Sequence, residues 1–191
     1  MRLLFILLLF SSSVSHAVII QGNDWRQLTE TVGFTWNEVA TVCPEGGGVC
    51  NGSLNSVDFT GWRWANTQEV GELFAFFNSN FTPPFDFQSE ANSTWAPQIL
   101  SLFNPNLSAL NLNRVLGYAA DRAGSSFART GDIVDEISAT NEDILRTNLV
   151  FDIDGANGTA PGVWLYTPVP IPAAFWLFFS AIGILGFLRK R

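Results

Sequence analysis

Both ends of this chain are apolar in a way that a water-soluble core cannot absorb, and this fixes what is left to fold. Residues 171–188 carry no charge over 18 positions, and Phe175, Trp176, Leu177, Phe178, Ile182, Leu185 and Phe187 fall all round a helical wheel. A helix packed on a core is apolar along one stripe only. As a helix the run reaches roughly 27 Å, close to the thickness of a bilayer's hydrocarbon layer. Arg189, Lys190 and Arg191 follow it as a basic stop that keeps the C-terminus in the cytoplasm. The expectation is a single C-terminal transmembrane helix, with a membrane as its partner.

At the other end, MRLLFILLLFSSSVSHA has one positive charge, an apolar run over residues 3–10 and then small polar residues, the composition of a secretory signal peptide. Ser15 and Ala17 are the small residues that a cut between Ala17 and Val18 requires. The chain therefore divides into a signal peptide at 1–17, an exported globular domain at 18–168 and a terminal segment at 169–191. About 150 residues can bury one sizeable core but hardly two.

Removal of the signal takes away His16, the only histidine, and with it imidazole chemistry and imidazole metal ligation. Between the signal and the basic stop stand six arginines, no lysine and 17 acids, a net charge of −11. A nucleic-acid partner is excluded on that balance, because phosphate binding needs clustered positive charge. No sequence pattern for a cofactor is present: there is no Gly-rich phosphate loop, no His-Glu zinc motif and no nucleophile elbow. Cys43 and Cys50, in CPEGGGVC, are the only cysteines of a chain addressed to an oxidising compartment, so a local disulfide is expected. Closing so short a loop is worth roughly 2.5 kcal/mol in the chain-entropy picture.

Two helices are predicted early in the domain. Thr35 and Glu38 form a capping box before Trp36, Val39 and Val42; Asn66 and Glu69 form another before Val70, Leu73, Phe74 and Phe77. Residues 78–113 read as irregular, with one helical turn near 98–103. Beyond them come β candidates: RVLGYAAD, SSFART, DIVDEIS after a Thr130–Gly131 turn, NEDILR of unclear type, and NLVFDID with GVWLYT as an antiparallel pair. Helices first and strands later argue for α+β, with two N-terminal helices packed on an antiparallel sheet.

Three constellations are candidates for chemistry. Six tryptophans precede the apolar tail (Trp25, Trp36, Trp62, Trp64, Trp95, Trp164) and are expected mainly in the core, with flat faces for sugar rings as the alternative. Asp152, Asp154 and Asn157 in DIDGANG are oxygen donors of the kind Ca²⁺ takes, but Val163 stands where a calcium loop needs its terminal glutamate, so a plain turn is the stronger reading. A carboxylate pair for glycan hydrolysis depends on spacing in three dimensions, and nothing in the sequence singles one out.

The terminal segment carries a resemblance. Val169, Pro170, Ile171, Pro172 and Ala173, then an apolar run and a terminal Arg/Lys cluster, resemble the VPxPA variant of the PEP-CTERM sorting signal. That resemblance implies a substrate of an exosortase, a membrane enzyme of Gram-negative bacteria. The protein would sit in the inner membrane before processing and then reach the cell surface or extracellular matrix, with exopolysaccharide as a further partner. DWRQLTETVGFTWNEV, GWRWANTQEVGELF and GVWLYTPVPIPA are similar to exported domains that accompany such signals. GWRWANTQEV is also similar to the G-W-R-L-P-T-x-x-E-L element of the Lcl C-terminal family, which implies a C-type-lectin-like fold. The leading expectation is a non-enzymatic surface or matrix protein. A carbohydrate-binding module on the same address and an exported glycan hydrolase are the alternatives.

Overall fold

The computed structural model describes residues 18–109, 111–136, 142–155 and 161–169. Its first element is a strand, not a helix. β1 (Val18–Ile20) turns through Gln21 and Gly22, at φ 52° and 77°, into β2 (Asn23–Trp25). Two consecutive left-handed residues give the tight hairpin connection that suits the natural twist of paired strands. A single 3₁₀ turn at Leu28–Glu30 and helix α1 (Trp36–Ala40) follow, and the predicted Thr35–Glu38 capping box is present at the start of α1.

Next come β3 (Gly48–Val49), the small hairpin of β4 (Ser53–Leu54) and β5 (Val57–Asp58), and β6 (Arg63–Trp64). Helix α2 (Thr67–Phe77) has the predicted Asn66–Glu69 box and buries Val70, Leu73 and Phe74. β7 (Phe87–Ala91), α3 (Trp95–Leu102) and β8 (Leu107–Ala109) lead to two long central strands, β9 (Leu112–Arg122) and β10 (Phe127–Glu136). β11 (Glu142–Arg146), β12 (Val150–Asp152), β13 (Gly162–Val163) and β14 (Leu165–Pro168) complete the described chain.

These strands form two main sheets. One has the order β1-β2-β14-β6-β3; the other runs β13-β9-β10-β11-β7, with β8 also on β9 and β12 also on β10. The side chains of β9 and β10 alternate between two cores. Val115, Ala119 and Ile133 face α2 and α3 with Trp95, Ile99 and Leu145. Tyr118, Ala120 and Ala128 face α1, Phe59 and the disulfide.

Trp164 is fully buried, with Trp25, Phe74 and Phe103 edge-on to its ring at centroid distances of 6.2, 5.7 and 5.4 Å. The indole fits because Gly117 and Gly131 lie opposite each other on β9 and β10: a Cβ at Gly131 would come within 2.6 Å of Trp164 Nε1, and one at Gly117 within 2.8 Å.

The α+β expectation of two N-terminal helices on one antiparallel sheet is corrected by this architecture. Strand makes up 40% of the described residues against 19% helix, with three α-helices and several sheets among them. The physical reason lies in residues 78–113, whose prolines and mixed polarity hide their periodicity. Pro97 sits in the first turn of α3, where a missing N–H costs little, and β7 is an edge strand with mostly exposed side chains and no alternation to read.

The Thr130–Gly131 turn is also corrected, since both residues continue β10, and NLVFDID and GVWLYT do not pair. β12 joins β10, β13 runs parallel to β9, and β14 lies between β2 and β6. The expected C-terminal transmembrane helix over residues 171–188 lies outside the described residues; among those described, no helix is long and apolar enough to cross a membrane.

Candidate functional site

The start of α2 forms one wall of an open groove of about 340 Å³. Asp121, near the end of β9, takes the Thr67 backbone N–H and hydroxyl on its Oδ2, and so caps the helix from the neighbouring sheet. Gln68 leans along the helix to donate to Glu72 at 3.0 Å. The opposite wall is Phe85, a residue 54% exposed although its loop is firmly held.

Thr147 fixes that loop by donating its hydroxyl to Pro84 O and its N–H to Asp86 O. Asp86 braces it from within. Burial pushes this carboxyl up, but hydrogen bonds from the Gln88 side chain and from the Thr82 and Phe87 amides outweigh burial and hold it below the usual carboxylate range.

Two arginines complete the groove, Arg122 and Arg129. Arg122 pairs with Glu45 at 2.9 Å and lies over the Trp36 ring at 4.6 Å. Arg129, at the β-bulge between Ala128 and Thr130, has its guanidinium 4.1 Å from the Phe85 ring centroid. The other four arginines of the domain have oxygen partners. Arg26 reaches Glu30 and Asp58 O, Arg63 reaches the Tyr166 hydroxyl, and Arg114 and Arg146 share Asp132. Among the described residues Arg129 makes neither an ion pair nor a side-chain hydrogen bond, and its polar N–H groups remain available.

The residues singled out by sequence fall in separate places. Cys43 and Cys50 form the expected disulfide, with Cα atoms 4.1 Å apart and both side chains buried in the second core. Trp25, Trp36, Trp64, Trp95 and Trp164 are core residues; Trp62 alone of the six is half-buried, with Arg26 over its ring at 5.3 Å. Asp152 Oδ1 accepts the Asp154 N–H, and Asp154 Oδ1 accepts from Asn37 Nδ2, so both carboxylates serve to tie a turn to α1. Asn157 lies outside the described residues, and among those described no group of three acids, histidines or cysteines is placed to hold a metal.

Val18 opens β1, while Ala17 and the basic stop Arg189, Lys190 and Arg191 lie outside the described residues. Of the sorting motif, Val169 is described and Pro170, Ile171, Pro172 and Ala173 are not. Val169 donates its N–H to Gly22 O at 2.9 Å, immediately after Pro168 pairs with Asn23.

Sequence reasoning missed a contact between two carboxyls. Asp143 is buried, and its Oδ2 accepts the Ser93 N–H at 2.8 Å and hydroxyl at 2.6 Å. Burial, then the Asp143 charge and a hydrogen bond with it, push Asp135 above the usual carboxylate range. Asp143 Oδ1 is buried and has no hydrogen-bond partner among the described residues. The two carboxyls touch each other instead of flanking a cleft, and the groove is lined by a single carboxylate, Asp121. That differs from the two carboxylates, roughly 5–9.5 Å apart across a sugar site, that glycoside hydrolysis uses. No family model matches the chain, and neither a curated protein nor a solved structure matches it.

Proposed function

We propose that this protein is an exported, non-enzymatic surface or matrix protein that is sorted through its VPIPA segment and processed there by an exosortase-type enzyme. One observation carries the reading. The hydrogen bond from Val169 to the β1–β2 turn belongs to the first residue of the motif, so folded cargo and address adjoin without a spacer. The buried disulfide is compatible with an oxidising destination. On this reading the apolar run 171–188 holds the chain in the inner membrane until the cut, after which residues 18–168 pass to the cell surface.

The test is the mass of the mature protein from cells with and without the processing enzyme. Loss of the Arg191 terminus only in enzyme-containing cells is the expected result; an intact Arg191 terminus in both refutes the proposal. A second reading, carbohydrate binding, loses five of the six tryptophan platforms to the core. It is favoured instead by the groove beside Phe85.

A further inference from the structure

We propose that the groove between the start of α2 and Phe85 binds a carboxylate-bearing sugar, with Arg129 as its anion contact. The assignment deepens the carbohydrate-binding reading and is independent of whether the tail is cut. It begins with an imbalance. The exported domain offers 17 carboxylates to six guanidinium groups, yet Arg129 has none of them and rests on an aromatic ring. A guanidinium on a ring keeps its in-plane N–H groups free, and that fork matches the two oxygens of a planar carboxylate.

The surroundings select the rest of the ligand. Phe85 is 54% exposed beside the cation, which gives an apolar face of the size of a sugar's C–H face. Asp121 and the Gln68 amide line the opposite side, an acceptor and an amide of the kind that hydroxyl groups need. Arg122 stands next to them in an ion pair whose side chains are 35% and 51% exposed. Such a pair is held weakly enough to be redirected to an incoming anion. The volume, about 340 Å³, lies at the small end of ligand sites, appropriate to one or two sugar rings and not to a long polymer segment. The domain's net negative charge also disfavours polyanions with several charges per residue, so the favoured ligand is a short, hydroxyl-rich uronate chain with one carboxylate per ring, one or two rings of which enter the groove.

The test uses the full chain in detergent and isothermal titration calorimetry with three probes: tetragalacturonate, its neutral methyl ester, and tetraglutamate. Saturable binding of tetragalacturonate is expected, with the ester and the peptide each at least about tenfold weaker. Arg129→Ala should weaken tetragalacturonate by about tenfold or more and Phe85→Ala by about threefold or more, with Arg129→Lys between Ala and the parent because it keeps charge without the fork. Each variant is first shown to melt with the parent, and Gln98→Ala, exposed on α3 and outside the groove lining, serves as a second comparison that should leave affinity unchanged. No saturable binding of tetragalacturonate overturns the proposal. Equal binding of the ester, equal binding of tetraglutamate or an unaffected Arg129→Ala variant does so too.

Discussion

Gly131→Ala separates what strand propensity alone suggests from what the fold requires. Read as a strand residue, Gly131 is a weak point, and alanine there should stabilise by roughly 0.5–1 kcal/mol. The packing reverses that sign. A Cβ at 131 would lie 2.5 Å from Val70 Cγ1 and 2.6 Å from Trp164 Nε1, on α2 and in the central indole respectively. Neither neighbour is a flexible surface chain, since Val70 and Trp164 are both fully buried.

Forcing a methyl into such a core costs about 1–3 kcal/mol. Displacing the indole also strains the 3.2 Å bond from Trp164 Nε1 to Gly131 O, whose net worth is about 0.5–1.5 kcal/mol. Less the gain from stiffening the unfolded chain, the expected loss is about 2–3 kcal/mol, or roughly 5–10 °C in melting temperature for a domain of this size. Urea unfolding followed by tryptophan fluorescence reads it directly, because the probe is the displaced group. Trp164→Phe frees space beside Cβ, so the double variant should lose less than the sum of the singles. A Gly131→Ala protein as stable as the parent, or strictly additive singles, would show that the glycine pair is not what admits the indole.

Asp132 is fully buried between Arg114 and Arg146, both at 2.6 Å. Asp132→Ala leaves two guanidinium groups without their carboxylate and should cost about 3–5 kcal/mol, seen as a lower urea midpoint at unchanged slope; a midpoint within error of the parent would contradict the assignment. At Asp135 the folded state raises the pKa, first through burial and then through Asp143. A native state that holds this proton more tightly than the unfolded chain has the associated stability in full below the ordinary carboxylate range, and loses it as pH rises through the elevated folded value. Asp135→Asn removes that loss and can donate permanently to Asp143. The variant should therefore melt above the parent at pH 7, with the difference closing in acid, and a variant that melts lower at pH 7 would refute the reading.

Legibility followed the range over which each signal acts. Both capping boxes were visible because a cap is decided within four residues, and Thr35, Glu38, Asn66 and Glu69 behave as their spacing requires. The disulfide was legible for a similar reason, with two cysteines seven positions apart. Gly131 was not. Next to Thr130 it has the local chemistry of a turn, and only the indole of Trp164, 33 positions later, explains why a glycine is needed in mid-strand. The pairing of β14 with β2 was equally invisible, since nothing near Leu165 or Tyr166 says that the strand they form lies beside Trp25. Non-local pairing decides the fold class here, and so the helix-rich opening of the sequence misled.

The groove was illegible for a further reason. Its parts come from four stretches, at Gln68, Phe85, Asp121 with Arg122, and Arg129, and each is ordinary in its own setting. A phenylalanine after two prolines reads as a loop residue, and an arginine in an alternating strand reads as a solvated charge. Charge arithmetic could have shown that something was unusual without showing where. With nearly three acids per arginine, any arginine left without one has been kept from them by the fold, and Asp121 is in fact engaged by Thr67 on the far side of the same groove. The helix N-terminus thus competes for the carboxylate that would otherwise neutralise the site. Removing that competition tests the idea: in Thr67→Val the hydroxyl bond to Asp121 is lost, the carboxylate is freer to turn toward the cations, and affinity of the groove for a carboxylate ligand should fall although no residue facing the ligand has lost a charge.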